Sequence, residues 1–445
     1  MGRGMTDGGR QSLAAAVGAG ALCLGLGLPA QDPPLPDHAL NVSWGDQVVI
    51  GKGAARLDSP EHIREALGAW HEGCRMSVVY WRLGSWTIEN YCEQRVKGAE
   101  WYYDRVKAAE ANGDIYVAAL ASCRELKVPI YGYITLFDEG SPTSVRYGDS
   151  APFPWQSRFT IEHPEYLVCS RDGSARQYGV MEYWYPAVRE YKLGQIRRFL
   201  DAYDYDGIYL CTRSHSLPAE KADLYGFGAP VAAEFQRRYG VEPRVADFDL
   251  QAWRDLRGEG LTRFLREVRA ELNRRGKRLA IGIPRGDIIG PPYGNMALPW
   301  RQWLRERLVD ELVIGVQSGN FHYPSQKGRD RERGYLASGD EGFGLLPLSQ
   351  DARENYAPAC REAGVTLRLS ATLLQPPAPG LDGCMLDAGS LATRGLDVTV
   401  PPHPVLDLQT PAATVECWIW PESTAEWPRL LSKYNHGVGE EGRGW

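Results

Sequence analysis

One repeated unit constrains this chain more than any other feature. It is a short uninterrupted apolar run, a polar tail, and then a segment with helical spacing. The run Gly207–Cys211 is the clearest case: Asp201-Ala-Tyr-Asp-Tyr-Asp206 closes a helical pattern before it, and Thr212-Arg-Ser-His-Ser216 leaves it as polar groups. Met76–Trp81, Pro129–Leu136, Val180–Tyr183, Arg278–Pro284, Glu311–Gln317 and Val365–Ser370 have the same character, and Gln47–Ile50 is a shorter run of the same kind. Strands that are apolar throughout belong to parallel sheets, whose two faces are both covered. Helices are expected between them, from Ser59-Pro60-Glu61 to about Glu72, over Glu100–Ala111, Asp114–Leu126, Pro186 to Tyr203, Pro230–Tyr239, Leu250–Arg275, Pro299–Leu308 and Asp351–Ala363. Asp114 is placed as an N-cap, and Gly276 and Gly364 as C-terminal stops. Seven or eight such units over about 330 residues predict an α/β fold, a (β/α)8 TIM-type barrel with long loop insertions. No glycine-rich phosphate loop follows the first strand, which argues against a nucleotide-binding open sheet.

The chain has 445 residues and a formal net charge of −6, so no basic field covers it and a nucleic-acid partner is not expected. At the amino terminus Arg3 and Arg10 precede the small and apolar run Ser12–Leu28, and Leu28-Pro-Ala-Gln31 offers a cleavage point. This reads as a signal peptide over 1–31, predicting an exported protein with no stable membrane span once the signal is removed. Residues 32–44 read as a proline-rich linker, 45–375 as the barrel, and 376–445 as a second linker followed by an incomplete all-β domain. The nine cysteines show no CxxC or metal-like spacing, and the histidines are not at ligand spacing; neither a metal nor a cofactor is expected.

Several motifs resemble one family. Tyr205-Asp206-Gly207-Ile208, the helix start Pro186-Ala-Val-Arg189, Asp247-Phe-Asp-Leu-Gln-Ala-Trp-Arg254, and His163-Pro-Glu-Tyr166 followed by Arg171-Asp-Gly173 are similar to segments of the family-10-like glycosyl hydrolase barrels of bacteria. The resemblance covers about residues 45–375 and implies a barrel acting on the glycosidic bonds of a polysaccharide or oligosaccharide. One departure matters. Relatives carry an acidic residue just after the Asp-Gly-Ile strand, and here those positions read Cys211 and Thr212, followed by Arg213. Asp206 does not replace the acid, because it starts the strand and so faces the far end of the barrel. From Leu381-Asp-Gly383 through Thr414-Val-Glu-Cys-Trp-Ile-Trp-Pro421 to Leu431-Ser-Lys433, the chain resembles the first third of a laminin-G/concanavalin-A-like jelly roll.

Glycoside hydrolysis uses two carboxyl groups, one protonating the leaving oxygen and one acting as nucleophile or activating water. Asp138 and Glu139, Glu182, Asp287, and Asp340 or Glu341 follow strands and are the candidates. Glu182, in the aromatic run Tyr183-Trp-Tyr185, is expected as the general acid with a raised pKa, and Asp287 as its partner. The plainer alternatives are a salt-bridged rim residue and a turn residue. Arg213, His215, His322, Trp81, Trp155, Tyr293, Asp138 and Glu341 are expected to bind substrate. A non-catalytic carbohydrate-binding barrel is the competing function, since an expected acid is missing.

Overall fold

The computed structural model describes residues 37–43, 46–47, 57–84, 104, 107–108, 111–140, 156–214, 222–290, 293–316, 348–371 and 382–387. Twelve strands fall within them. They are β1 (Asp37–Val42), β2 (Arg75–Arg82), β3 (Ile130–Thr135), β4 (Leu167–Cys169), β5 (Arg176–Met181), β6 (Gly207–Cys211), β7 (Arg278–Ile283), β8 (Ile288–Ile289), β9 (Met296–Ala297), β10 (Glu311–Ile314), β11 (Thr366–Ala371) and β12 (Gly383–Asp387). Eight of them close a barrel in the order β1-β12-β11-β10-β7-β6-β3-β2, and each neighbouring pair is parallel. The expected (β/α)8 barrel is present.

Two of its strands are not the expected ones. Asp46 and Gln47 are helical, so the run at Gln47–Ile50 supplies no barrel strand within the described residues. Val180 and Met181 end β5, which pairs antiparallel with β4 in a hairpin outside the barrel. The places are taken by β1, from the stretch read as linker, and by β12, from the stretch read as the second domain. In β1, Asp37, His38 and Asn41 interrupt the apolar run and hide the strand. In β12 only Cys384, Met385 and Leu386 form such a run, and they follow a proline-rich stretch. The barrel therefore extends past 45–375 at both ends. Of the jelly-roll motifs, Gly383 opens β12 of the barrel, and those beyond Asp387 lie outside the described residues, as does the signal segment.

Helix termini follow the local chemistry. Ser59 Oγ accepts from His62 N at 3.2 Å to open Pro60–Gly73, Asp114 accepts from Tyr116 N and Val117 N to open Ile115–Leu126, and Gly276 closes Leu250–Arg275 in the left-handed conformation. Val79, Trp81, Ile134, Ile208, Leu210 and Ile281 pack in the cluster between sheet and helices. Val78, Tyr80, Tyr131, Tyr133, Tyr209, Cys211, Ala280 and Val313 form a separate cluster, in the lumen. The alternation along β2 and β6 is the two-residue period of a strand.

Four tyrosines are an unusual filling for a barrel otherwise built of branched aliphatics. Tyr80 stacks on Tyr209 with centroids 4.2 Å apart, and a missing side chain makes room for the second ring. A Cβ on Gly282 would stand 2.1 Å from Tyr209 Oη and 2.9 Å from Val316 Cγ2. Gly282→Ala is therefore expected to cost about 1–3 kcal/mol by overpacking. Adding Tyr209→Phe should recover part of that loss in chemical denaturation, because the closest clashing atom is gone. A second substitution that deepens the loss would refute this reading of the lumen.

Six cysteines are described, and all are buried free thiols: Cys74, Cys123, Cys169, Cys211, Cys360 and Cys384. Burial pushes Cys74 up to about 11, and Cys123 and Cys360 up to about 12.

Candidate functional site at the barrel mouth

The carboxyl ends of the strands define one mouth. Arg82 is the last residue of β2 and Thr135 the last of β3, and Arg82 Nη2 donates to Thr135 Oγ1 at 2.7 Å. The guanidinium lies over the Tyr133 ring, 4.9 Å from its centroid, and stands 3.8 Å from Asp138 Oδ2. Cys211 ends β6, and its sulfur accepts from Arg213 N at 3.5 Å. Burial holds the Tyr133 hydroxyl well above its ordinary pKa; Cys211 adds to the rise, while Arg213 and then Arg82 oppose it. Both guanidiniums thus act on the same phenol.

Asp138 and Glu139 diverge. Asp138 faces Arg82, whereas the buried Glu139 receives Lys192 Nζ, which also donates to the Thr135 carbonyl at 3.3 Å. Lys192 comes from the Pro186–Ala202 helix and is itself buried, so burial lowers its pKa against the pull of Glu139. This pair ties the helix to the exit of β3.

The two expected acids, Glu182 and Asp287, follow different strands. Glu182 follows β5 of the outer hairpin and does not end a barrel strand. It is fully buried, with Arg257 Nη2 at 3.3 Å from Oε2, and Arg257 Nη1 donates to the Gly294 carbonyl at 2.6 Å. Its pKa is raised, as expected of an acid, with burial as the largest cause and Arg257 opposing. Asp287 follows β7 and accepts from Trp300 Nε1 and from Arg301 Nη1, both at 2.7 Å. Each carboxylate has its own arginine, and for Glu182 a salt bridge is the plainer alternative.

Trp81 is fully buried in the layer between sheet and helices and offers no face to a sugar. Tyr293 is buried too: its hydroxyl donates to the Thr212 carbonyl, and its ring meets Phe137 edge-on at 4.7 Å, so it packs beneath the exit of β6. Arg213 and Asp138 do belong to the mouth. His215, His322, Trp155 and Glu341 lie outside the described residues. Asp206 sits at the opposite end, where its carboxylate accepts from Ile130 N and Arg124 Nη1. The mouth residues not anticipated are Arg82, Tyr133 and Lys192. The signal for the first two was strand parity: residues two apart share a face, so Tyr80 and Arg82 look the same way, as do Tyr131 and Tyr133. Lys192 carried no such signal.

Among the described residues no group of three or more His, Cys, Asp or Glu side chains could hold a metal ion. No helix among them is long and apolar enough to cross a membrane.

The chain matches no protein-family model and no curated protein. Solved structures similar to it include a class V chitinase from Pseudomonas fluorescens Pf-5, at 15% identity, a TM-score of 0.30 and coverage of 65% of this chain and 59% of that one. A noncanonic maltogenic alpha-amylase from Thermotoga neapolitana follows at 10% identity and a TM-score of 0.33, covering 74% of this chain and 58% of the amylase. Catalytic domain 2 of the Ostrinia furnacalis Group II chitinase is similar at 14% identity and a TM-score of 0.29, over 63% of this chain and 50% of that one. The chain spans only half to three fifths of these proteins. At these scores no residue role passes from them to this chain.

Proposed function

We propose that this protein is exported and binds a polysaccharide or oligosaccharide at the carboxyl-end mouth of its barrel, holding the chain without cutting it. One observation supports binding over cleavage. Each of the four described carboxylates singled out as a candidate acid faces a cation: Asp138 with Arg82, Glu139 with Lys192, Glu182 with Arg257 and Asp287 with Arg301. Hydrolysis needs two carboxyl groups about 5–9.5 Å apart on either side of one bond, one of them protonated. In each of these pairs the carboxylate is already engaged by a cation. Cys211 and Thr212 stand where the resembled family carries an acid.

Hydrolysis is the second reading, in which carboxylates act as acid and base on an O-glycosidic bond. Asp138 favours it, being a buried carboxylate at the mouth whose ion pair with Arg82 spans 3.8 Å. The test joins reducing-sugar release with binding across a broad polysaccharide panel. Binding without release is the expected result. Release that Asp138→Asn abolishes and Glu182→Gln leaves intact would replace the binding reading with the hydrolase. Export is checked by N-terminal sequencing of protein recovered outside the cytoplasm, with cleavage expected near Leu28-Pro-Ala-Gln31.

A further inference from the structure

We infer that the unit held at this mouth is a neutral sugar, whose adjacent hydroxyls close the gap between Arg82 and Asp138; the inference rests on the carbohydrate reading above. Both side chains are buried, at 3% and 5% exposure. A guanidinium and a carboxylate in hydrogen-bond contact stand about 2.7–2.9 Å apart. Here Arg82 Nη2 stands 3.8 Å from Asp138 Oδ2, too far for such a bond. The same guanidinium has a second shortfall. Nη2 donates to Thr135 Oγ1 at 2.7 Å, yet the buried Nε has no hydrogen-bond partner among the described residues. Buried donors are almost always satisfied, so an open ion pair and an orphaned N–H on one side chain point to a missing group.

The guanidinium is held as it stands. Thr135 fixes Nη2, the Tyr133 ring lies beneath Cζ at 4.9 Å from its centroid, and the Arg82 carbonyl accepts from Gln47 Nε2 at 3.1 Å. An opening fixed between a donor and an acceptor fits a group that is both. A hydroxyl accepts from Arg82 Nε and donates to Asp138 Oδ2, and two hydroxyls on neighbouring ring carbons divide the two tasks. A carboxylate offers about four lone-pair sites, so Asp138 takes this proton whatever else it accepts. Charge decides against the alternatives. An acidic sugar would answer Arg82 but meet Asp138 as a like charge, and an amino sugar would meet Arg82 in the same way. Water has the required chemistry too, and a sugar displaces it by reproducing both bonds. Bonds to charged partners count most where water is scarce.

The test uses the whole chain in calorimetry. Probes are xylo-, cello- and malto-oligosaccharides, their O-methylated forms and oligogalacturonate, within a wider array of neutral and acidic glycans. At least one neutral glycan should bind more tightly than any acidic one. O-methylation keeps the acceptors but removes the hydroxyl protons, and should weaken that glycan about 10- to 100-fold. Asp138→Ala and Arg82→Gln should each weaken it by a similar factor, with Asp138→Asn between alanine and wild type. The double variant should lose less than the product of the two, because both groups hold the same diol. Asp138→Asn should also narrow the gap between neutral and acidic glycans, since the like charge is gone. Thermal melts check that the variants are folded; where Arg82→Gln is not, Asp138→Asn and the methylated probes on the wild-type protein decide. A neutral glycan bound equally well after O-methylation, or unchanged by Asp138→Ala, overturns the inference and leaves water in the gap. Tighter binding of acidic glycans overturns it as well. In each of these cases the carbohydrate reading stands, whereas binding of no glycan refutes both.

Discussion

Glu311→Ala is expected to lower the free energy of unfolding by about 3–5 kcal/mol, the cost of stranding a buried charge. Glu311 opens β10 inside the barrel and is 2% exposed. It accepts from Tyr80 Oη at 3.0 Å, from Tyr131 Oη at 2.8 Å and from Arg368 Nε at 3.0 Å, so one carboxylate joins β2, β3 and β11 to β10 across the lumen. Burial first, and Glu311 second, push both tyrosine hydroxyls far above their ordinary pKa, which keeps them protonated as donors. Removing the carboxylate takes an acceptor from two hydroxyls and the counter-charge from a nearly buried guanidinium. Glu311→Gln keeps an acceptor and loses only the charge, so its cost should lie between alanine and wild type. The measurement is the urea midpoint at an unchanged denaturant slope. An alanine variant within about 1 kcal/mol of wild type would mean that the lumen packing, and not this network, holds the four strands.

The same network shows what the sequence could convey. Glu311 was legible as the start of a strand, because Glu311–Ile314 begins an apolar run. That it lies in the lumen was not, since a parallel strand buried on both faces gives no period-2 signal to separate inside from outside. Trp81 shows the cost of that ambiguity: it looks available beside a loop, yet its parity with Val79 sends it into the layer under the helices. The barrel as a class was legible from the strand–helix repeat, and so were Asp206 at the far end and Arg213 at the mouth. The membership of two strands was not. β1 is interrupted by polar residues, β12 is only five residues long, and the run at Val180–Tyr183 passes every local test for a barrel strand while its partner is a neighbouring hairpin arm. Pairing is a tertiary fact that local composition does not encode. The pairing of Glu182 with Arg257, 75 positions away, is of the same kind.

Arg257→Met should cost about 3–5 kcal/mol at neutral pH and progressively less in acid. Arg257 is 1% exposed and holds Glu182 on one side and the Gly294 carbonyl on the other. Without it the Glu182 carboxylate is buried with no salt-bridge partner among the described residues. The pH dependence follows from the direction of the shift. The folded pKa of Glu182 already lies above its unfolded value of 4.5, because burial outweighs Arg257. Between those two values the folded state binds more protons than the unfolded one, so stability falls as pH rises through the window. Taking away Arg257 raises the folded pKa further and carries the window toward neutrality. The gap between wild type and variant must therefore widen as pH rises and close as Glu182 protonates. On a Glu182→Gln background the same substitution should cost markedly less, because no charge is left to strand. Midpoints for the four proteins at several pH values make the comparison. An Arg257→Met penalty that is the same in acid and at neutral pH, and the same on both backgrounds, would show that the arginine acts by packing on Gly294. Glu182 would then be uncharged at neutral pH, which is the protonation state a general acid requires, and the hydrolase reading would regain its first candidate.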